Sequence, residues 1–378
     1  MIYFDNSATT KPFDESIKRQ NEIAQHLFYN CSTLYTGGRQ ANKTLENARA
    51  TLANALSCKI NEVFFTSSGT ISDNIAIFGG AKIKNGKILC SGVEHAAVYN
   101  CFVELKNKGY NVEFIKSDKN GAVDIEHLKS VLTKDTNFVS IMHVNNITGT
   151  INDIKEISKI IRSYNKNCII HSDGVQAFCK IDCDVSSLGV DIYSISSHKI
   201  NGPKGAAALY KKKNLNLSPF ILGGGQEKDV FPSTENLPAI CGFETAVLKH
   251  QKDFAKNKAH LKELKKYTIE KIKQIDNVYI LNEGDFAPHI LNVSIKDVRA
   301  EVLQQYLSSV DIFIAIGSAC NKNANAKSVR FLEPLKLPKS YTDGNIRISF
   351  SFENTKAEID AFFEELKKAV CSLRNIKG

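Results

Sequence analysis

Between about residue 60 and residue 210, short apolar runs alternate with stretches of helical periodicity, and this alternation constrains the fold most. "EVFFT" is typical of a strand, and Ser72–Lys82 is typical of a helix. Further strands are predicted at "KILCS", "VEFIK", "FVSIMHV", "CIIHSD" and "DIYSIS", while the last one, "GAAALY", suits either orientation. Because such alternation characterises parallel sheets covered by helices, the sequence predicts an α/β fold with a mostly parallel sheet.

The pattern changes after about residue 240. Ala239–Ile275 is predicted as one long helix, and shorter elements follow it: "HILNVS", a helix near Ala300–Ser308, "IFIAI", "NIRISFS" and a terminal helix from Thr355. This mixture indicates a smaller α+β domain. We expect the active site between the two domains, beside the carboxyl ends of the parallel strands.

The composition is that of an ordinary globular protein, with 43% hydrophobic and 24% charged residues. No apolar run is long enough for a transmembrane helix, and "MIYFDNSATT" has no secretory pattern, so we expect a cytoplasmic protein that does not enter membranes. Ten scattered cysteines without a CxxC pair fit a reducing compartment. The net charge of +9 is dispersed and lacks interleaved aromatic residues, so nucleic-acid binding is not predicted.

The segment "SISSHKINGPKGAAALY" places Lys199 at the end of a predicted strand, before a Gly-Pro loop. Desolvation lowers the pKa of a lysine, and its neutral amine can then form a Schiff base. Ser196 and His198, just before it, are suited to bind a phosphate, which together suggests pyridoxal phosphate (PLP). From this segment alone, an ordinary surface lysine remains the alternative.

"IIHSDGVQAF" ends a buried strand at Asp173, and Gln176 follows three residues later. A buried carboxylate is costly unless it is paired, and a protonated pyridine nitrogen would be such a partner. The alternative is that Asp173 caps a following helix. A strand-ending aspartate 26 residues before a strand-ending lysine is the spacing that a PLP site requires.

Three further segments carry candidate chemistry. In "FTSSGTISDN", Gly69 and Thr70 open a helix after a strand, which is either a phosphate cradle or an ordinary capped turn. In "VEHAAVYN", His95 is suited to stack on a cofactor or shuttle protons, or is structural. In "IFIAIGSACN", Cys320 is either a reactive thiol or a small apolar residue at a strand end.

Taken together, these segments resemble the cysteine desulfurases, in the class V branch of the fold-type I PLP-dependent enzymes. The resemblance covers nearly the whole chain through "YFDNSATT", "FTSSGTISDN", "VEHAAV", "MHVNNITGTINDI", "HSDGVQ", "SSHKINGPKG", "GGGQEK", "STENLP", "GSAC" and "RISFS", in this order. It implies a large PLP-binding domain at 14–250, with a mostly parallel seven-stranded sheet between helices. It also implies a small α+β domain at 1–13 and 251–378, which carries the nucleophile and the substrate-binding arginine.

The resemblance assigns the cofactor PLP to specific residues. Lys199 would hold it covalently and act as base and acid at the substrate α-carbon. Asp173 would pair with the pyridine nitrogen, Gln176 would face the phenolic oxygen, and His95 would stack over the ring. Five residues would bind the phosphate, the last of them in the partner subunit of a homodimer: Gly69, Thr70, Ser196, His198 and Thr234.

The resemblance also implies how L-cysteine is handled, and it implies no metal. Asn146 and Arg347 would hold the substrate carboxylate, assisted by Asn30, because the planar guanidinium matches a carboxylate. Cys320 would be the nucleophile that takes the sulfur as a persulfide and leaves alanine. A polar loop between Cys320 and Arg347 would let this thiol reach a sulfur-acceptor or scaffold protein.

Several positions depart from the family pattern, among them Tyr35, Ile71 and, near the site entrance, Phe231. They leave the substrate preference and the partner open. A selenocysteine lyase or another PLP-dependent cysteine C–S lyase is the alternative on the same scaffold. A non-catalytic paralogue that acts as a scaffold is a further alternative, although the retained Lys199 and Cys320 argue against it.

Overall fold

The computed structural model describes residues 1–81, 86–281, 283–317 and 332–375. Within these ranges the strands are β1 (Ile2–Tyr3), β2 (Val63–Thr66), β3 (Lys87–Ser91), β4 (Asn111–Ile115), β5 (Thr136–Ser140), β6 (Ile169–Asp173), β7 (Ile192–Ser196), β8 (Ala207–Lys211), β9 (Val278–Ile280), β10 (Ile290–Ile295), β11 (Ile312–Phe313), β12 (Ala315–Ile316) and β13 (Asn345–Ser349).

The helices within the same ranges are α1 (Asp14–His26), α2 (Thr36–Ala55), α3 (Gly69–Gly80), α4 (Ala96–Asn107), α5 (Ile125–Val131), α6 (Ile154–Tyr164), α7 (Val185–Leu188), α8 (Leu237–Lys252), α9 (Phe254–Ile272), α10 (Ala300–Ser309), α11 (Lys339–Thr342) and α12 (Lys356–Asn375). None of them is long and apolar enough to cross a lipid bilayer.

The larger sheet has seven strands in the order β2-β8-β7-β6-β5-β3-β4. Strands β7, β6, β5, β3 and β4 pair in parallel, whereas β8 runs antiparallel to both of its neighbours. Its central strands are buried over almost their whole length because helices cover both faces. The predicted α/β class and the mostly parallel seven-stranded sheet are therefore confirmed.

Helix α6 illustrates how the sequence covers this sheet. Ile154, Ile157 and Ile161 recur at helical spacing and are buried against it. Each such buried side chain contributes roughly 1.5–3 kcal/mol. Asp153 begins the helix by accepting a hydrogen bond from the backbone N–H of Glu156, at 3.0 Å. Amphipathic spacing and a capping residue together thus determine where this crossover helix lies.

The smaller sheet has four antiparallel strands in the order β12-β13-β10-β9, and β1 pairs with β11 in parallel. Phe4, just after β1, packs edge-to-face on Phe350 and Phe362, with ring centroids 5.6 and 5.5 Å apart. The first residues of the chain therefore belong to the core of the smaller sheet. The predicted domain boundaries, 14–250 against 1–13 and 251–378, stay a prediction.

Three local predictions differ from the structure. The single helix predicted for Ala239–Ile275 is wrong, because α8 ends at Lys252 and α9 begins at Phe254. Asp253 between them has φ −123° and ψ 25°, and aspartate favours such helix ends. "IFIAI" forms two short strands, since β11 pairs with β1 and β12 with β13. Helix α3 begins at Gly69, before the predicted Ser72, because Ser68 caps it, and Gly69 and Thr70 open the helix as their motif predicts.

Candidate active site

A turn after β1 meets the carboxyl ends of the parallel strands. Lys199, which follows β7, donates from Nζ to the carbonyls of Ser7 and Ala8, at 2.7 and 2.6 Å. Gln176, which follows β6, donates from Nε2 to the same Ser7 carbonyl at 2.9 Å. The N-terminal turn therefore brings together two of the predicted site residues that lie far apart in the sequence.

Lys199 does not have the surroundings of a solvated surface lysine. Burial, together with the nearby positive charge of Arg347, lowers the pKa of its amine to about 8. Asp5 and Asp173 act in the opposite direction but do not restore the usual value. A substantial neutral fraction near pH 8 is what nucleophilic attack on an aldehyde needs.

Asp173 ends β6 and is 6% exposed. Its Oδ1 accepts from the backbone N–H of Val175 at 2.9 Å, but residues 175–180 form turns, so the alternative that it caps a following helix is wrong. Burial, and then the neighbouring Asp73, raise the pKa of Asp173 to about 7. A cation at this strand end would stabilise the carboxylate, and a protonated pyridine nitrogen fits that requirement.

The amino terminus of α3 faces the end of β7. A Cβ on Gly69 would lie 2.9 Å from Cγ2 of Val175 and 3.5 Å from Cβ of Ser196, so only glycine leaves this space open. The hydroxyl of Ser196 is buried and has no hydrogen-bond partner within the described ranges. A helix N-terminus beside an unpartnered hydroxyl suits a phosphate group. The residues present therefore fit the phosphate of PLP.

Two other predicted phosphate ligands differ in burial. Thr70, the second residue of α3, is exposed. The ring of His198 lies with Nδ1 3.1 Å from Oγ1 of Thr9. Burial, with Lys199 and Lys204 nearby, lowers the pKa of His198 to about 4, so the ring is neutral at physiological pH. His198 is thus suited to act as a hydrogen-bonding group and not as a cation.

His95 caps α4, where its Nδ1 accepts from the backbone N–H of Ala97 at 3.2 Å. The side chain is exposed, and its stacking on a cofactor stays a prediction. The preceding Glu94 is fully buried, and its Oε1 accepts from the backbone N–H of Met142 at 2.7 Å. Burial raises the pKa of Glu94 well above its ordinary value. This acid was not singled out from the sequence, although it stands beside the histidine in "VEHAAV".

Arg347 lies on β13 and is 7% exposed. Its Nη2 is 2.5 Å from Oδ1 of Asp5, and its Nη1 donates to the carbonyl of Asn146 at 2.8 Å. Both Nε of Arg347 and Oδ1 of Asn146 are buried without a hydrogen-bond partner among the described residues. The guanidinium thus keeps one N–H without a partner in the described part of the chain, and its charge suits a carboxylate.

The remaining predicted residues are exposed or lie outside the described ranges. Asn30 is exposed, and its Oδ1 accepts from the N–H and the hydroxyl of Ser32, each at 2.8 Å. Thr234 is exposed on the segment before α8. Cys320 lies outside the described residues, so its role stays a prediction.

Besides Glu94, two further site residues were missed by the sequence-based reasoning. Asp5 holds Arg347, and the only hint was its place in the motif "YFDNSATT". Asp73, on α3, is 1% exposed, and burial raises the pKa of its carboxyl to about 7. Its Oδ1 is 3.5 Å from Nε2 of His171, where α3 packs on β6. Neither contact follows from local spacing.

The fold, the lysine after β7, the aspartate that ends β6 and the cradle at α3 define the class as the fold-type I PLP-dependent enzymes. Residues 2–362 match the family described as "Aminotransferase class-V", and the chain belongs to this family.

Curated relatives and solved structures are similar to the chain over almost their whole length. A "NifS/IcsS protein homolog" of Lactobacillus delbrueckii subsp. bulgaricus is 42% identical and covers 97% of each chain. A "Cysteine desulfurase IscS" of Dictyoglomus turgidum is 35% identical, covering 99% of this chain and 96% of its own. A solved "NIFS-LIKE PROTEIN" superposes with a TM-score of 0.91 at 29% identity, covering 98% and 99%. "SspA in complex with cysteine" superposes with a TM-score of 0.80 at 28% identity, covering 94% and 100%.

Proposed function

We propose that this chain is a PLP-dependent cysteine desulfurase, which converts L-cysteine to L-alanine and keeps the sulfur on Cys320 as a persulfide. The observation that carries the proposal is the convergence of Lys199 and Arg347 on one short turn. Lys199 bonds to the carbonyls of Ser7 and Ala8, and Arg347 bonds to Asp5. An amine and a guanidinium thus border one site, as the binding of an α-amino acid requires. Full-length similarity to relatives named cysteine desulfurase supports the same activity.

Within this site, Lys199 would hold the cofactor, Asp173 would pair with its pyridine nitrogen, and Gly69 with Ser196 would bind its phosphate. When bound, PLP withdraws electrons from the α-carbon of the substrate. The amine of Lys199, whose pKa is lowered to about 8, is suited to accept and return a proton at that carbon. The lowered pKa places the titration of the Lys199 amine close to the pH at which a general base works best.

Substrate orientation would come from Arg347 and Asn146. The guanidinium of Arg347 would bind the carboxylate of L-cysteine, and its planar shape would fix the orientation of that carboxylate. Asn30 stays a proposed assistant, since its side chain bonds to Ser32 in the protomer. Holding the carboxylate fixes which bond at the α-carbon faces Lys199.

Sulfur transfer would use the thiolate of Cys320. This sulfur attacks the sulfur of L-cysteine, so that one S–S bond forms while the C–S bond of the substrate breaks. The carbon fragment gains protons and leaves as L-alanine. No external oxidant is needed, because the persulfide and alanine together contain all the atoms of the thiol and L-cysteine.

We further propose a cytoplasmic homodimer in which Thr234 of one subunit reaches the cofactor phosphate of the other. The sulfur would pass to an acceptor or scaffold protein, as in iron–sulfur cluster assembly. The sequence directly after Cys320, "NKNANAKS", is small and polar, which supports delivery of the sulfur to a second protein.

The test is incubation of the PLP-loaded protein with L-cysteine, with L-selenocysteine and with a few other amino acids, followed by measurement of sulfide, selenide and alanine. Mass spectrometry should find one extra sulfur atom on the peptide that contains Cys320. Cys320→Ser should lose release of sulfur from L-cysteine, whereas Cys371→Ser, which alters an exposed cysteine of α12, should not. Full activity of Cys320→Ser on L-cysteine would instead indicate a lyase that needs no enzyme thiol.

A further inference from the structure

A left-handed turn lies between β8 and α8. Glu227, Lys228 and Asp229 have φ of 48°, 52° and 64°, and Gly225 before them has φ 86°. Residues with a Cβ rarely adopt this conformation, because the Cβ then crowds the backbone carbonyl. Three consecutive non-glycine residues persist there only when their surroundings hold them in place.

The exposed residues of this turn do not supply that support. Lys228 and Asp229 are both exposed, whereas the side chain of Glu227 is 2% exposed. Of the three left-handed residues, Glu227 is therefore the one whose side chain attaches the turn to the rest of the fold.

Glu227 is bound by an arginine on α2. Its two carboxylate oxygens accept from Nη1 and Nη2 of Arg49 at 2.6 and 2.8 Å, in a bidentate ion pair. Oε2 also accepts from the backbone N–H of Phe65 at 2.8 Å, and Nη1 of Arg49 donates to the carbonyl of Val63 at 2.9 Å. The carboxylate is thus anchored between α2 and the edge strand β2. Such bidentate, charge-assisted bonds fix direction as well as distance.

The segment that follows the turn is fixed at both ends. A Cβ on Gly223 would lie 2.1 Å from the carbonyl oxygen of Pro232, so the chain folds back tightly on itself. Asn236 caps α8, with Oδ1 accepting from the N–H of Ala239 at 3.3 Å. Thr234 lies between these points and is exposed on the protomer. Glu227 thus holds the start of the segment that presents Thr234, while Pro232 and Asn236 hold its later part.

We propose that the Arg49–Glu227 ion pair is a positioning device, which holds the left-handed turn so that Thr234 reaches the cofactor phosphate of the partner subunit. This inference rests on the proposed function and the homodimer. The pair would then act across the subunit interface. The competing possibility is action within one subunit, because β2 leads into the cradle at Gly69.

The experiment is PLP titration of Glu227→Gln, followed by absorbance after dialysis. We expect at least tenfold weaker PLP binding in this variant. Glu15→Gln is the matched control, since it removes an exposed ion pair with Lys249, and it should bind PLP like the wild type. Wild-type affinity in Glu227→Gln, or a monomeric wild-type protein in sedimentation, would overturn the proposal.

Mixed dimers then separate action across the interface from action within one subunit. Glu227→Gln subunits are paired with Lys199→Ala subunits, which bind no PLP covalently but carry an intact turn. We expect one site per mixed dimer to regain wild-type PLP affinity, because it combines Lys199 of one subunit with the native turn of the other. Affinity that stays as low as in the Glu227→Gln homodimer would overturn the proposal.

Arg49→Lys covers the case in which Glu227→Gln does not fold. Lysine keeps the charge but cannot form the bidentate pair, so the same mixed-dimer rescue is expected. Lys228 and Asp229 are then both replaced by glycine in Glu227→Gln, or in Arg49→Lys if Glu227→Gln does not fold. This change should recover part of the PLP affinity, because glycine adopts the left-handed conformation without crowding. The readout is cofactor binding, so a protein that passes these tests but releases no sulfur from L-cysteine would refute only the proposed function.

Discussion

Arg347 on β13 and Asp5 after β1 form an ion pair across 342 residues of sequence, with Nη2 2.5 Å from Oδ1. The arginine side chain is 9% exposed and the aspartate side chain 23% exposed. The pair attaches the N-terminal turn to the smaller sheet while the same turn accepts hydrogen bonds from Lys199. One short segment therefore sets the distance between the reactive amine and the carboxylate-binding guanidinium.

Replacing Arg347 by lysine should lower kcat/KM for L-cysteine about a hundredfold, equivalent to roughly 2.7 kcal/mol. The lysine keeps a positive charge but loses the planar fork that orients a carboxylate. Steady-state kinetics measure the loss, and the PLP absorbance band should remain. Arg19→Lys changes an exposed ion pair with Glu22 and serves as the control. Unchanged kinetics in Arg347→Lys would place the substrate carboxylate elsewhere.

The rate at which PLP reconstitutes the cofactor-free protein should rise with pH up to about 8 and then level off, because the neutral amine of Lys199 reacts and its pKa is lowered to about 8. An ordinary lysine would continue to gain reactivity up to a pH of about 10.4. Stopped-flow absorbance measures the profile.

Two variants check the cause of that profile. Arg347 lowers the pKa of Lys199, so Arg347→Gln should move the midpoint to higher pH. Asp5 raises the pKa of Lys199, so Asp5→Asn should move the midpoint to lower pH. Shifts in the opposite directions would contradict this account of the charges around the amine.

Ser196→Ala should weaken PLP binding about tenfold without destabilising the cofactor-free protein, since a hydrogen bond to a charged group contributes roughly 1.5–3 kcal/mol. The hydroxyl of Ser196 is buried without a partner, so its removal breaks no hydrogen bond in the described structure. PLP titration and urea unfolding measure the two effects. Ser158 on α6 also has a buried, unpartnered hydroxyl, and Ser158→Ala should leave PLP binding unchanged.

Asp73→Asn should stabilise the cofactor-free protein increasingly as the pH rises from 5 to 8. Burial raises the pKa of the Asp73 carboxyl to about 7, whereas the unfolded chain ionises near its ordinary value of 3.8. The folded protein therefore retains a proton that the unfolded chain releases, and wild-type stability falls until the pH passes about 7. The variant avoids this loss.

The expected gain of Asp73→Asn over the wild type between pH 5 and pH 8 is roughly 2–3 kcal/mol. Urea unfolding at the two pH values measures it. Asp182→Asn, at an exposed position paired with Lys258, should show no such dependence. If the free energies of unfolding of Asp73→Asn and the wild type differ by the same amount at both pH values, the buried carboxyl of the wild type is ionised at both.

The sequence by itself determined the alternation of strands and helices, and hence the sheet, because apolar periodicity is a local property of the chain. It also located Asp173 at the end of β6 and Lys199 just beyond the end of β7. Polar residues that follow directly on a buried run can be recognised without knowing what lies opposite them. The order of motifs then pointed to the family and the cofactor.

Only the tertiary structure decided what these residues face. The pairing of Arg347 with Asp5, the buried space between Gly69 and Ser196, and the anchoring of Glu227 by Arg49 join distant parts of the chain. Such contacts depend on how sheets and helices pack, which local periodicity does not encode. The same packing sets the pKa of Lys199, because burial and neighbouring charges exist only in the folded protein.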